Sequence, residues 1–321
     1  MKLGIFTCLL GERPAEEVFK YVSELGIQTV EIGAGGNPGD AHMKPLDLLA
    51  DSKKIEDYKE MLKRYNLEIS ALSVHSNHVH PNKEIAEKAH TDFINACKVA
   101  EKLGVDTINT FSGCPGDHPG AKYANWVTCG WPDDYPAILE YQWNDVLIPY
   151  WKAAVKEAGE YGIKKIALEM HGGFCVYNVA SLLKLRKAVG PEIGTNFDPS
   201  HLLWQGADPV AAIKVLKEAI FHFHAKDTRI DAGNTAVNGL LDLHHYGDVL
   251  NRSWVFRTVG YGNDYLLWND IISALKAVGY DGAISIEHED CLMSKKEGLE
   301  KAVKFLKEVI IFEKPGEIWW A

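Results

Sequence analysis

The sequence predicts an α/β chain folded as a (β/α)8 TIM barrel. Short runs of β-branched and other apolar residues alternate with amphipathic stretches at helical spacing along the whole chain. Several predicted helices end in a glycine that a strand follows almost at once, as at Gly26, Gly104, Gly162 and Gly279. A repeated unit of strand, helix and glycine is typical of a parallel sheet built from β-α pairs.

Eight strands and eight helices are predicted in alternation. The strands are expected at residues 3–7, 29–33, 67–74, 107–111, 165–169, 193–198, 220–225 and 283–287. The helices are expected at residues 14–25, 55–65, 84–103, 143–161, 179–189, 209–219, 266–278 and 295–311. A doubly wound open sheet is the alternative, but no G-x-G-x-x-G turn follows the first strand. Because barrels routinely have this length, we expect a single domain over residues 1–321.

Three predicted strand-to-helix loops are too long to be simple connections. They cover residues 33–49, 113–141 and 228–265, and they lie on the barrel face where the strands end, which carries the active site in this architecture. The middle loop contains Trp126 and Trp131, whose flat rings suit stacking against the C–H face of a sugar. The alternative is a loop that packs on its own aromatic residues.

Composition and charge exclude several classes of protein. The 44 acidic and 34 basic residues give a formal charge of −10, which disfavours nucleic acid as a partner. No apolar run approaches the roughly 20 residues that span a bilayer, so we expect no membrane association. Six scattered cysteines without a C-x-x-C pair, together with no signal peptide, predict free thiols and a cytoplasmic location.

Four predicted strands in the second half of the chain end in a residue that can bind a metal ion: Glu169, Asp198, His224 and Glu287. Ionised or polar side chains are costly to bury alone at strand ends, so convergence on one shared cation explains them best. Three carboxylates and one imidazole favour Mn²⁺ or Mg²⁺, with Co²⁺, Fe²⁺ or Zn²⁺ as substitutes. We predict a single Mn²⁺ and no organic cofactor.

Four motifs around these residues resemble the xylose-isomerase-like sugar phosphate isomerase/epimerase family. They are Leu168-Glu169-Met-His171, Phe197-Asp198-Pro-Ser-His201, Phe223-His224-Ala-Lys-Asp227 and Ile286-Glu287-His288. The resemblance covers nearly the whole chain and implies a TIM barrel. It also implies a metal ion held by the four ligands above, of which the two glutamates double as acid and base.

The resemblance further implies substrate contacts at His201 and at an arginine near Arg229. One position departs from the ketose 3-epimerases of that family, which carry a further carboxylate shortly after the first metal glutamate. Here that stretch offers only His171, which we take as a substrate contact instead. The departure argues against a simple free-ketose 3-epimerase.

The chemistry expected of such a site follows from the residues. A divalent ion bound to a substrate carbonyl and its neighbouring hydroxyl stabilises the enediolate formed when the adjacent carbon loses a proton. Glu169 and Glu287 can remove and return that proton on opposite faces of the substrate. The sequence thus predicts a metal-dependent sugar isomerase or epimerase acting on a keto-sugar or a 3-keto-glycoside.

Three other functions are alternatives to an isomerase or epimerase. A lyase would use the same proton abstraction and then expel a leaving group, as in inosose-type dehydration or the cleavage of 3-keto-glycosides by C-glycoside deglycosidases. DNA repair of the endonuclease IV type needs further histidine ligands that the fourth strand lacks, and the net charge disfavours it. A non-catalytic carbohydrate-binding role would not require a pair of acid/base glutamates.

The sequence also leads to expectations for several other residues. His222 was expected to point away from the barrel centre, and His75, His78 and His80 were expected in a solvated loop. Lys226 could position substrate or pair with Asp227. The apolar segment 317–321 was expected to dock either on a neighbouring subunit, giving a homo-oligomer, or on its own barrel.

Overall fold

Eight parallel strands close into a barrel in the computed structural model, which describes residues 1–320. The first half of the chain contains β1 (Lys2–Phe6), α1 (Ala15–Glu24), β2 (Thr29–Gly33), α2 (Pro45–Leu49), α3 (Ser52–Arg64), β3 (Glu68–Ser73), α4 (Lys83–Leu103), β4 (Thr107–Thr110), α5 (Asp134–Glu140), α6 (Ile148–Glu160) and β5 (Lys165–Glu169). The second half contains α7 (Val179–Val189), β6 (Ile193–Phe197), α8 (Pro199–Trp204), α9 (Pro209–Leu216), β7 (Ile220–Ala225), β8 (Asp227–Ile230), α10 (Ala232–Asn238), β9 (Trp254–Arg257), α11 (Tyr265–Ala277), β10 (Ala283–Ile286) and α12 (Lys295–Val309).

The barrel strands follow chain order, from β1 through β7 to β10, which pairs with β1 and closes the ring. At the closure Lys2 lies opposite Ala283 and Ile5 lies opposite Ile286. Each predicted strand and helix is present, with ends that shift by a few residues. The (β/α)8 prediction is therefore confirmed, while Ala321 of the predicted domain lies outside the described residues.

Helix boundaries are set locally by capping residues. Side chains of Asn82, Asn178, Asp208 and Asp264 accept hydrogen bonds from backbone N–H groups in the first turns of α4, α7, α9 and α11. Gly104 ends α4 with a φ of 75°, a left-handed conformation that glycine adopts without steric cost. This capping role explains why glycine recurs where predicted helices end in the sequence.

The loop after β7 contains structure that the sequence pattern did not reveal. Residues 228–265 were predicted as a loop, but they hold α10 and most of an antiparallel hairpin in which Asp227 of β8 pairs with Arg257 of β9. Strands of four residues are too short to show a reliable period. The carboxylate of Asp227 accepts hydrogen bonds from the backbone N–H groups of Gly260 and Gly262 and from the indole of Trp268. These bonds tie the insertion to the barrel wall.

The loop after β4 is fastened in a similar way. The buried side-chain amide of Gln142 donates hydrogen bonds to the carbonyl oxygens of Pro115, Gly116 and Asn125. Because Asn125 is fixed by this amide, the next residue, Trp126, is held over the carboxyl end of the barrel.

Other expectations can be compared directly with the structure. All six cysteines are free, as predicted. Trp319 and Trp320 are 86% and 71% exposed, so the described part of the terminal segment does not pack on its own barrel. A homo-oligomer stays a prediction. Within residues 1–320 no helix has both the length and the apolar character needed to cross a membrane.

Leu275→Ala should destabilise the protein by about 3 kcal/mol, because Leu275 is fully buried in α11 and its loss leaves a cavity. Leu266→Ala in the same helix should change the free energy of unfolding by less than about 0.5 kcal/mol, since Leu266 is 69% exposed. Urea unfolding monitored by tryptophan fluorescence measures both. Equal shifts of the two unfolding midpoints would contradict the assignment of the buried face of α11.

Candidate metal centre and its cavity

The four predicted metal ligands converge at the carboxyl end of the barrel. Glu169 is the last residue of β5, Asp198 follows β6, His224 lies near the end of β7 and Glu287 follows β10. One ligand atom from each lies within 4.8 Å of the ligand atoms of the other three. The strand ends of neighbouring barrel strands bring them together, as the spacing in the sequence predicted.

The donor atoms fit a divalent cation. Glu169, Asp198 and His224 are almost fully buried, and the side chain of Glu287 is 14% exposed. Among the described residues, Asp198 Oδ2 and His224 Nδ1 are buried without a hydrogen-bond partner of suitable geometry. Buried polar atoms are rarely left in this state. Three carboxylates and a histidine nitrogen that all face one point would be satisfied together by one shared ion.

His224 is oriented by Glu31, a residue that the sequence analysis missed. The Nε2 atom of His224 lies 2.8 Å from Glu31 Oε2, so a proton on Nε2 leaves Nδ1 free to bind a metal ion. The fully buried carboxylate of Glu31 also accepts hydrogen bonds from Ser73, Asn109 and Ser285. A glutamate in the middle of the otherwise apolar strand β2 was the available signal.

The side chain of Lys226 brings a positive charge into the cavity. Its Nζ atom lies 2.9 Å from Glu287 Oε2, 2.9 Å from Glu289 Oε2 and 3.3 Å from Asp198 Oδ2. The ammonium group also lies 4.5 Å from the centre of the Phe256 ring. Lys226 therefore pairs with carboxylates of the site, not with Asp227, whose partners belong to the inserted loop.

The charges in the site perturb each other strongly. Burial raises the pKa of Asp198 to about 7, although Lys226 opposes the shift. Burial alone would also raise the pKa of Glu287, but Lys226 and His224 outweigh it and lower this pKa to about 2. The pKa of His224 rises well above its usual value because Glu31 and Glu287 together overcome the effect of burial.

Two further histidines contact Glu169. His201 Nε2 lies 3.1 Å from Glu169 Oε1, and its Nδ1 accepts a hydrogen bond from the indole of Trp204, so Nε2 carries the proton. Burial lowers the pKa of His201 to about 3, with help from nearby His171. His75 Nε2 lies 3.1 Å from Glu169 Oε2. His201 and His171 lie beside the site as predicted, with ring centres 4.0 Å apart.

The placement of three other histidines corrects the predictions. His75 and His78 are buried, because the segment after β3 folds back into the barrel mouth, whereas His80 is partly exposed. His222 was predicted to point away from the barrel centre, which was wrong. Residues two apart in a strand share a face, so His222 points inward one layer below His224 and contacts Asn196 and Ser70.

The structure does not bring two predicted substrate residues to the site. Arg229 is exposed on β8 and donates a hydrogen bond to the carbonyl oxygen of Gly262, 3.2 Å away. Trp131 is 74% exposed on the loop after β4. Neither residue lines the cavity at the metal centre. Trp126 also lies outside that cavity, but it lines the neighbouring cavity that contains His171 and His201.

A cavity of about 340 Å³ opens onto the candidate metal centre, a size typical of small-molecule sites. Glu169 and Glu287 both face it, as do Lys226 and Glu289. Its apolar walls include the rings of Phe6, Phe111 and Phe174. The cavity thus combines carboxylates, a cation and flat apolar surfaces, which suits a small polyhydroxylated compound.

A family model described as a xylose isomerase-like TIM barrel matches residues 19–309. The chain belongs to this family. The uncharacterized protein YfiH of Bacillus subtilis (strain 168) is 41% identical over 97% of this chain and 99% of its own length. Inosose dehydratase of Geobacillus thermodenitrificans (strain NG80-2) is 24% identical over 71% of this chain and 72% of its own length.

Solved structures of the family share the fold of the chain. The IOLI protein crystallised with a zinc atom superposes with a TM-score of 0.66 at 18% identity, covering 97% of this chain and 98% of that chain. A D-tagatose 3-epimerase-like protein superposes with a TM-score of 0.63 at 21% identity, covering 96% of this chain and 98% of that chain. The names of these family relatives include an epimerase and a dehydratase, which indicates an enzyme without fixing its reaction.

Glu31→Gln should weaken the binding of Co²⁺ about 10- to 100-fold, because the amide cannot hold His224 as the carboxylate does. Competition with a chromophoric chelator measures the affinity. Glu68→Gln is the matched control, since Glu68 lies exposed at the opposite end of the barrel. An affinity within twofold of the unsubstituted protein in Glu31→Gln would show that Glu31 does not support the centre.

Proposed function

We propose that the protein is a divalent-metal-dependent sugar isomerase or epimerase that moves a proton beside the carbonyl of a keto-sugar or a 3-keto-glycoside. One observation carries the proposal. Four donor groups, three of them buried, meet at the mouth of the barrel, and Asp198 Oδ2 and His224 Nδ1 among them lack a hydrogen-bond partner of suitable geometry within residues 1–320. The shape of the adjoining cavity and the family membership support it.

Glu169, Asp198, His224 and Glu287 would hold the ion, for which we propose Mn²⁺ because three of the four donors are carboxylates. The zinc atom in the related IOLI protein supports a cation in this family, although its identity can differ between members. When bound, the ion supplies Lewis-acid stabilisation of negative charge on substrate oxygens.

Glu169 and Glu287 are the proposed acid and base. Both face the cavity of about 340 Å³ from strands that two other strands separate, so they approach a bound substrate from different sides. His201 Nε2 lies 3.1 Å from Glu169 Oε1, and Lys226 pairs with Glu287 Oε2. These neighbours restrict the orientation of both carboxylates.

The apolar walls of the cavity also favour the proposed reaction. The rings of Phe6, Phe111 and Phe174 limit the access of water, which strengthens the interaction between the substrate and the charged groups. The ammonium group of Lys226 can donate a hydrogen bond to a substrate hydroxyl beside Glu287. A polyhydroxylated ring is therefore the proposed substrate, and no contact in this cavity requires a phosphate group.

A lyase is the second candidate function, and the position of Lys226 favours it. In a dehydration, Glu169 or Glu287 takes a proton from the carbon beside the carbonyl, the neighbouring C–O bond breaks, and a C=C bond forms. The departing hydroxide needs a positive neighbour and a proton, and Lys226 lies between two carboxylates that can relay one. The similarity to an inosose dehydratase is consistent with this alternative.

We also propose a cytoplasmic location. The six cysteines are free thiols, and two of them, Cys129 and Cys291, are exposed. Exposed free thiols are stable in a reducing compartment and prone to oxidation outside it.

Glu169→Gln and Glu287→Gln should each reduce turnover at least about 100-fold at saturating Mn²⁺, because the amide cannot accept the substrate proton. The measurement follows deuterium incorporation by NMR in D₂O with keto-sugars, inositol ketones and 3-keto-glucosides. Glu68→Gln is the control for a carboxylate remote from the site.

The same spectra separate the two candidate reactions. An epimerase gives a deuterated stereoisomer of the substrate, whereas a lyase gives an unsaturated product and releases water or an aglycone. Metal content is measured on each variant, so that loss of the ion is distinguished from loss of the base. If a Glu→Gln variant with its metal ion bound exchanges deuterium at the full rate, that glutamate is not the acid or base and acts only as a metal ligand.

A further inference from the structure

A second cavity adjoins the candidate metal centre on the side of the inserted hairpin. Its volume is about 230 Å³, and His171 lines both this cavity and the one at the metal centre. His201 lines the second cavity while its Nε2 contacts Glu169. A molecule bound at the ion can therefore extend past these two histidines without leaving the protein surface.

Aromatic rings form much of the wall of the second cavity. The rings of Trp204 and Trp254 are stacked, with centres 4.9 Å apart and planes within 8° of parallel. Trp126 and Tyr246 complete the aromatic lining, each from a different long loop. Parallel and edge-on rings of this kind hold flat ligands by stacking.

Gly172 sets the width of this cavity. A Cβ atom at this position would lie 2.7 Å from Cζ2 of Trp204 and 3.4 Å from Cη2 of Trp126. The absence of a side chain at Gly172 thus allows two indole rings to approach the backbone beside His171. This close approach links the aromatic wall directly to the end of β5.

Polar groups accompany the rings. The indole Nε1 of Trp126 is buried and has no hydrogen-bond partner within residues 1–320. The carboxylate of Asp242 also lines the cavity, where the backbone N–H groups of His244 and Ser253 hold it in place. Both groups lie in the wall of the cavity and add polar character beside the aromatic rings.

We propose that the substrate has two rings, and that the second cavity binds the one that does not react. Its chemistry is a ring with an apolar face and hydroxyl groups, attached to the sugar ring at the metal centre. Such a ring comes from either a phenolic aglycone or a second sugar. This inference rests on the proposed function for the position of the reacting ring, but the second cavity can be tested by binding alone.

The test compares glucosides that differ only in the attached group. Methyl β-glucoside, 4-hydroxyphenyl β-glucoside and cellobiose are titrated into the Mn²⁺-loaded protein by calorimetry, with tryptophan fluorescence as a second signal. At least one two-ring compound should bind about tenfold more tightly than the methyl glucoside. The aromatic and disaccharide arms identify which kind of second ring is preferred.

Two variants locate the effect. Gly172→Ala and Tyr246→Ala should each remove most of the tenfold preference for the two-ring compound and leave the affinity for methyl β-glucoside within about twofold. Trp319→Phe is the control for an exposed tryptophan outside the site. Circular dichroism and Co²⁺ affinity confirm that each variant is folded with its metal centre intact.

The outcomes separate this inference from the proposed function. Equal affinities for all three glucosides, or a preference that both variants retain, would overturn the two-ring inference even if proton exchange is observed. A preference that both variants abolish supports it, even if none of the tested ketones exchanges deuterium. Absence of exchange in every ketone bears on the proposed reaction alone.

Discussion

The hydrogen bond between Glu31 and His224 is the contact on which the candidate centre depends. It buries a carboxylate completely inside the barrel, where an unpaired charge would cost several kcal/mol. Ser73, Asn109 and Ser285 supply the remaining donors, so three other strands are also fixed by this carboxylate. With Nε2 occupied, His224 can present only Nδ1 to the mouth of the barrel. The same carboxylate thus links β2 to four other barrel strands and sets which nitrogen of His224 faces the candidate centre.

The carboxylates at the barrel mouth carry more negative charge than the nearby lysine neutralises, which favours binding of a cation. Glu169, Asp198 and Glu287 meet within a few ångströms, and Lys226 compensates one negative charge while also serving Glu289. Burial raises the pKa of Asp198, and the neighbouring Glu169 and Glu287 raise it further, whereas Lys226 opposes them. A bound divalent ion would remove this conflict and keep all three carboxylates ionised. The proposed metal ion would therefore balance the charge of the site as well as supply its chemistry.

Most of the fold could be predicted from the sequence, because eight strands and eight helices each carry a clear period and several end in glycine. The convergence of the four candidate metal ligands was also predictable, since Glu169, Asp198, His224 and Glu287 end otherwise apolar runs. Residues whose role depends on contacts distant in sequence were not. Glu31 on β2 and His75 after β3 reach the site from segments with no ligand motif. Arg229 points away because β8 forms a hairpin, and four residues are too few for the sequence to indicate that strand. The direction of His222 was an error in applying the two-residue period of a strand.

The inserted hairpin changes what the shared barrel can recognise. The barrel strands provide the charged groups at the ion, whereas Trp254 and Tyr246 belong to the insertion between β7 and α11. They meet Trp204 from α8 and Trp126 from the loop after β4 beside His171 and His201, which border the ion site. The loops can therefore vary the shape of the second cavity without altering the carboxylates of the candidate metal centre. His171 lies in the stretch where the ketose epimerases of the family carry a further carboxylate, and it borders both cavities. If the substrate has the two rings proposed above, this departure concerns binding of the second ring more than proton transfer.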